Sequence, residues 1–146
     1  MDKIKQLFLL ALSSLTLYSA AAVYEKTVFA EWDKPSINVF YVLPEEVNDQ
    51  TEILFIIHGN SRNADGYIEV WANHAKDKNI ILIAPEFSRS KFSNYNTLQM
   101  SSSTGKILKN RDLYLNNSID IMFNHYKNLF GVKTDLYKIY GHSGGA

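Results

Sequence analysis

The sequence has no cysteine. Its absence excludes disulfide staples, a lipid-modified cysteine, a thiolate metal site and a thiol nucleophile. Neither sign of charge is in excess: 15 Lys and Arg stand against 15 Asp and Glu, with four His. No basic stripe points to a nucleic-acid partner. The sequence shows no internal repeat and no metal-ligand spacing, so neither a metal nor another cofactor is implied. At 146 residues the chain has room for one domain.

A long apolar run occurs once, at the start. Lys3 and Lys5 precede the apolar stretch Leu7 to Leu17, and Ala20-Ala21-Ala22 follows it. A positive start, an apolar centre and small residues before a cut describe a secretory signal peptide over residues 1–22. An uncleaved anchor helix is the rival, because the uncharged run reaches Tyr24. Ser13, Ser14, Thr16 and Ser19 dilute that run and favour cleavage. The mature chain, 23–146, then has 13 basic and 14 acidic residues. The expected address is secreted or periplasmic, without stable membrane association after cleavage.

Val23 to Ala30 and Ile37 to Leu43 are β-rich runs joined by the turn-forming Asp33-Lys-Pro-Ser36, which predicts an antiparallel pair. Trp32 is expected to pack at that hairpin. Ile53-Leu-Phe-Ile-Ile57 has no polar alternation, as in a strand covered on both faces. Asn63 to Lys78 has a helical period, with Trp71 on its apolar side, Asn63 as cap and Asn79 as a left-handed terminator. Ile80 to Ala84 reads as a second buried strand ended by Pro85, so the order strand, helix, strand predicts a parallel crossover. The stretch 85–111 has no sustained period. It leaves the sheet edge where α/β proteins bind ligands, so it can line a cleft, with Phe87, Phe92 or Tyr95 near substrate; its tip, Ser101 to Thr104, reads equally as a mobile surface loop. A second helix is expected from Asp112 to Phe130, closed by Gly131, and a third buried-type strand over Leu136 to Tyr140.

That last strand runs into Gly141-His142-Ser143-Gly144-Gly145, a GxSxG pentapeptide. A serine used as a nucleophile must leave its strand on a turn so tight that side chains two residues before and after it would collide with the backbone. Glycines at 141 and 145 remove those side chains. Gly144 would turn its N–H toward the oxyanion of a tetrahedral intermediate. Three fixed positions arise by chance in roughly one chain in twenty of this length, so the weight rests on context: the strand before the motif, and His58-Gly59 after another strand. His58 reads as a brace for its loop rather than as the base. His142 should diverge from the serine, and His74 and His125 read as surface residues on helices.

In the order of these parts the chain resembles an α/β-hydrolase through its nucleophile, closest to the secreted esterases that include polyhydroxybutyrate depolymerase-like and feruloyl-esterase-like proteins. The resemblance covers about residues 37–146. It implies a partial α/β-hydrolase fold, a mostly parallel sheet with an antiparallel amino-terminal hairpin and flanking helices. It also implies Ser143 as acyl-accepting nucleophile, the N–H groups of Gly144 and Asn60 (or Ser61) as oxyanion donors, and His58, Gly59, Gly141 and Gly145 as structural support. The implied substrate is a small-molecule or polymeric ester, with no cofactor. The family's triad acid and histidine have no positions here after Ser143, so the expectation is a truncated serine esterase, inactive by itself. Two alternatives stand beside it: an exported binding protein without catalysis, and one half of a split enzyme completed by a separate carboxyl-terminal half.

Overall fold

A computed structural model describes residues 24–75 and 77–146. The signal peptide expected over 1–22 lies outside the described residues. Five strands form one mixed sheet: β1 (Glu25–Phe29), β2 (Ile37–Val42), β3 (Glu52–Ile57), β4 (Ile80–Glu86) and β5 (Lys138–Gly141). Their spatial order is β1-β2-β4-β3-β5. β1 with β2 and β2 with β4 are antiparallel, whereas β3 runs parallel to both β4 and β5. Two α-helices are described, α1 (Ala64–Ala75) and α2 (Ser118–Phe130).

The pleat of β3 explains its apolar sequence. Ile53, Phe55 and Ile57 point into one core with Met122, Phe123 and Tyr126 of α2. Ile56 and Leu54 point into the other, with Ala64, Ile68 and Ala75 of α1. β4 divides its side chains the same way, Ile81 and Ile83 against Leu82 and Ala84. A strand with a helix on each face has no wet side, so polar alternation disappears. Each of the fully buried Ile, Leu, Phe and Met side chains among them contributes roughly 1.5–3 kcal/mol.

The structure departs from the sequence reading at several ends. β4 does not stop at Pro85; it continues to Glu86, with Pro85 opposite Val39. The β3 register on β4 ends at Ile83, so a residue without an N–H is tolerated beyond it. α2 begins at Ser118 rather than Asp112, because Arg111–Leu113 forms a separate 3₁₀ turn and Tyr114 is extended. Gly131 closes α2 at φ 69°. Asn79 is absent from the positive-φ residues; its amide instead accepts from Thr51 Oγ1 at 2.6 Å and donates to Asn48 at 2.9 Å. β5, buried-type in composition, lies at the edge of the sheet among the described residues, with Ile139 57% exposed. His125 is half-buried, its ring 5.1 Å from that of Phe29. Trp32 packs between Phe29 and Phe92, and Trp71 lies against Tyr140. No described helix is long and apolar enough to cross a membrane.

Candidate active site

The parallel strands β3 and β5 end side by side, Ile57 opposite Gly141. Their continuations, His58-Gly59-Asn60 and His142-Ser143-Gly144-Gly145, therefore meet at one sheet edge. The His142 N–H donates to the Ile57 carbonyl at 3.3 Å, and a 3₁₀ turn follows over Ser143–Gly145.

Ser143 is exposed and has φ 54°. The left-handed region costs an L-residue roughly 1–2 kcal/mol, and such strain gathers at functional sites. The glycines around it answer to space rather than to φ. A Cβ on residue 145 would stand 2.8 Å from the Ile57 carbonyl oxygen and would also strike that of His58. One on residue 141 would stand 2.7 Å from the Gly145 carbonyl carbon. The turn folds back so closely that no side chain fits at either place.

The two loops touch. A Cβ on Gly59 would lie 3.2 Å from both the His142 carbonyl oxygen and the Ser143 Cβ. The Asn60 side chain rests against Gly144, where a Cβ would be 2.5 Å from Asn60 Oδ1. Asn60 and Gly144 are thus neighbours, and Ser143 stands beside both. Ser61 is exposed.

His58 is completely buried, and both ring nitrogens are engaged. Nδ1 lies 2.9 Å from the Gly59 carbonyl and Nε2 accepts from the Phe87 N–H at 3.0 Å. Those partners require the neutral ring with its proton on Nδ1. Burial lowers its pKa, and the nearby Arg62 charge lowers it further, against the raising effect of the Gly59 contact. His142 is exposed and its Nδ1 meets the Tyr67 hydroxyl at 2.5 Å. His74 is exposed on α1. No group of three or more potential metal ligands occurs among the described residues.

Phe87, Phe92 and Tyr95 are at most 3% exposed and pack in the core, and of the three Tyr95 also borders the cavity beside the Ser143 turn. They bind the 85–111 stretch to the sheet, which is why a segment without secondary-structure periodicity is ordered by aromatic packing. Beside the Ser143 turn, a tight elbow between β5 and the residues after it, Ile57, Tyr95, Asn96, Leu98 and Gly144 border this cavity of about 470 Å³. Ser101 to Thr104 forms part of a small hairpin in which Ser101 bridges Ile107. The sequence reading passed over Arg62 and Arg89, and took Tyr67 only as part of the apolar face of the first helix. Arg62 is buried with φ 61° and donates to two backbone carbonyls. Arg89 donates to the Asn60 carbonyl at 2.9 Å. Arg62 and Arg89, which tie the loop after His58-Gly59 to the segment after β4, were visible as letters, but nothing in their periodicity marked them.

No protein-family model and no curated protein matches the sequence. Among solved structures, poly(aspartic acid) hydrolase-1 from Sphingomonas sp. KT-1 is similar at 34% identity and a TM-score of 0.75, over 84% of this chain and 47% of that one. The chain is part of an α/β-hydrolase fold. The poly(3-hydroxybutyrate) depolymerase LpqC from Bordetella parapertussis shares this fold at 17% identity and TM-score 0.69, over 84% of this α/β-hydrolase chain and 43% of its own. An acetyl xylan esterase from Aspergillus awamori does so at 17% identity and TM-score 0.60, again over 84% and 43%. The chain thus spans less than half the length of these hydrolases.

Proposed function

We propose that this α/β-hydrolase chain carries the nucleophile and oxyanion hole of an exported serine hydrolase that cleaves carboxylic esters or polyesters through an acyl-enzyme on Ser143. The observation that carries the reading is the strained Ser143, φ 54° on an exposed turn, set against the His58-Gly59-Asn60 loop. In the reaction Ser143 Oγ attacks the ester carbonyl and gives up its proton. The N–H groups of Gly144 and Asn60 hold the oxyanion, the alcohol leaves with a proton, and water then hydrolyses the acyl-serine. The esterase and depolymerase names of the neighbours support an ester, small or polymeric, as substrate.

His58 is not free to act as base, because Nδ1 is spent on the Gly59 carbonyl and Nε2 on the Phe87 N–H; His142 holds the Tyr67 hydroxyl at Nδ1 and, next to Ser143 in sequence, is expected to diverge from its Oγ on the tight turn. A serine without a base is a weak nucleophile. The stretch described here is therefore expected to be inactive by itself and to need a base supplied by further polypeptide. The test is hydrolysis of p-nitrophenyl acetate and butyrate by the 146-residue chain and by the product of the gene read on downstream, each beside Ser143→Ala. Turnover by the longer product that vanishes in the variant supports the reading; turnover that survives in the variant removes Ser143 from it.

A further inference from the structure

Arg62 is an odd residue to bury. It sits at φ 61°, its guanidinium carries a charge that no pH of interest removes, and the ion pairs among the described residues all belong to lysines. Its N–H closes the loop turn by donating to the Gly59 carbonyl at 3.1 Å. Its Nη1 donates to the carbonyls of Phe87 at 2.5 Å and Phe92 at 3.0 Å. The guanidinium also stacks on Tyr95, 4.4 Å from the ring centre. Tyr95 in turn donates its hydroxyl to the His58 carbonyl at 2.7 Å, and Phe87 donates its N–H to His58 Nε2.

These contacts close a circuit from His58 to Phe87, to Arg62, to Tyr95 and back to His58. Every link joins the loop after β3 to the segment after β4. Within that loop lies Asn60, against Gly144. A second guanidinium, Arg89, holds the Asn60 carbonyl from the same β4 side. The charge of Arg62 is spent on backbone carbonyls instead of a carboxylate, a use that suits the planar fork of arginine and not the point charge of lysine.

Resting on the reading of Ser143 as nucleophile, we propose that Arg62 is a positioning residue for this reaction: it clamps the loop so that the Asn60 N–H keeps its place beside Gly144 when the oxyanion forms. Arg62 touches no reacting atom; it acts through the loop.

Two variants test the clamp. Arg62→Gly suits the positive φ, so any loss cannot be blamed on backbone strain. Arg62→Lys keeps the charge but not the fork. Amide hydrogen exchange is followed by mass spectrometry in peptides covering 58–62 and 87–99, with 24–42 as reference. Both variants are expected to lose at least tenfold protection in the first two segments together, with the reference within twofold. Millimolar guanidinium should restore protection in Arg62→Gly and leave Arg62→Lys unchanged. In the downstream-extended protein, the fluorophosphonate reaction of Ser143 should lose at least tenfold in its maximal rate while half-saturation moves less than twofold. A role in stability alone would not produce that division.

Unchanged protection at 58–62, or equal loss across the reference peptide, would overturn the clamp. So would a change in half-saturation with the maximal rate intact. Wild-type protein whose Ser143 never reacts in any form would instead overturn the nucleophile reading, while the exchange data would still decide whether Arg62 holds the loop.

Discussion

Replacing Gly145 by alanine should damage the elbow far more than the same replacement next door at Gly144. At 145 the new methyl would lie 2.8 Å from the Ile57 carbonyl oxygen, 2.9 Å from Ile57 Cγ2 and against the His58 carbonyl. Two of those three obstacles are backbone at the end of β3, held by its pairing with β4 and β5. Overpacking of this kind costs about 1–3 kcal/mol, and rigid backbone puts Gly145→Ala near the upper end. At 144 the obstacles are the Oδ1, Cγ and Nδ2 of Asn60, a side chain that can turn aside. Its cost should stay below ~1 kcal/mol. Urea unfolding followed by tyrosine and tryptophan fluorescence reads the contrast. For slopes of ~1–3 kcal/mol per molar urea, Gly145→Ala should lower the midpoint by about 1 M and Gly144→Ala by less than about 0.5 M. Equal shifts for the two variants would refute the close approach of the elbow to β3.

Ser143→Gly should remove the left-handed strain and leave the fold as stable as the wild type or up to ~1 kcal/mol more so, since relief of the strain competes with the chain entropy of glycine; a clear destabilisation in urea would argue that Ser143 is not strained. Because His58 is neutral in the fold with its pKa below the ordinary 6.5, the unfolded chain binds the extra proton first as pH falls. Its contribution to stability is thus complete above pH ~6.5 and is lost between there and the lowered native value. Urea midpoints at pH 7.5 and 5 should fall less in His58→Gln than in the wild type, and an equal fall would count against this. Phe55 is fully buried and has β4 and β5 partners on either side, so Phe55→Ala should cost ~3–5 kcal/mol, checked by whether the variant still unfolds cooperatively. Ile139→Lys, on the exposed edge strand β5, should reduce self-association in light scattering at little cost in stability.

The sequence was most legible where a single force decides the residues. The uninterrupted apolar run of β3 and the glycine spacing around Ser143 each follow from one constraint, burial on both faces in the first case and lack of room in the second. Where two forces compete, the reading slipped. Pro85 ordinarily ends a strand, but at a place where pairing to β3 has already stopped it loses nothing. Residues 112–117 share the apolar rhythm of α2, yet the extended Tyr114 breaks the helix. β5 has the composition of a buried strand although it is exposed in the described residues, because composition records the strand and not its cover. The circuit of His58, Arg62, Phe87 and Tyr95 was illegible for a further reason: its members come from separate segments and have no period, so only the fold brings them together.

The measurement closest to the central claim is labelling by a fluorophosphonate, with the modified residue located by mass spectrometry. The account predicts no adduct on the 146-residue chain alone. In the product extended by the polypeptide encoded downstream it predicts a single adduct, on Ser143, lost in Ser143→Ala. An adduct on another residue of the extended product, or one that persists in Ser143→Ala, would contradict it.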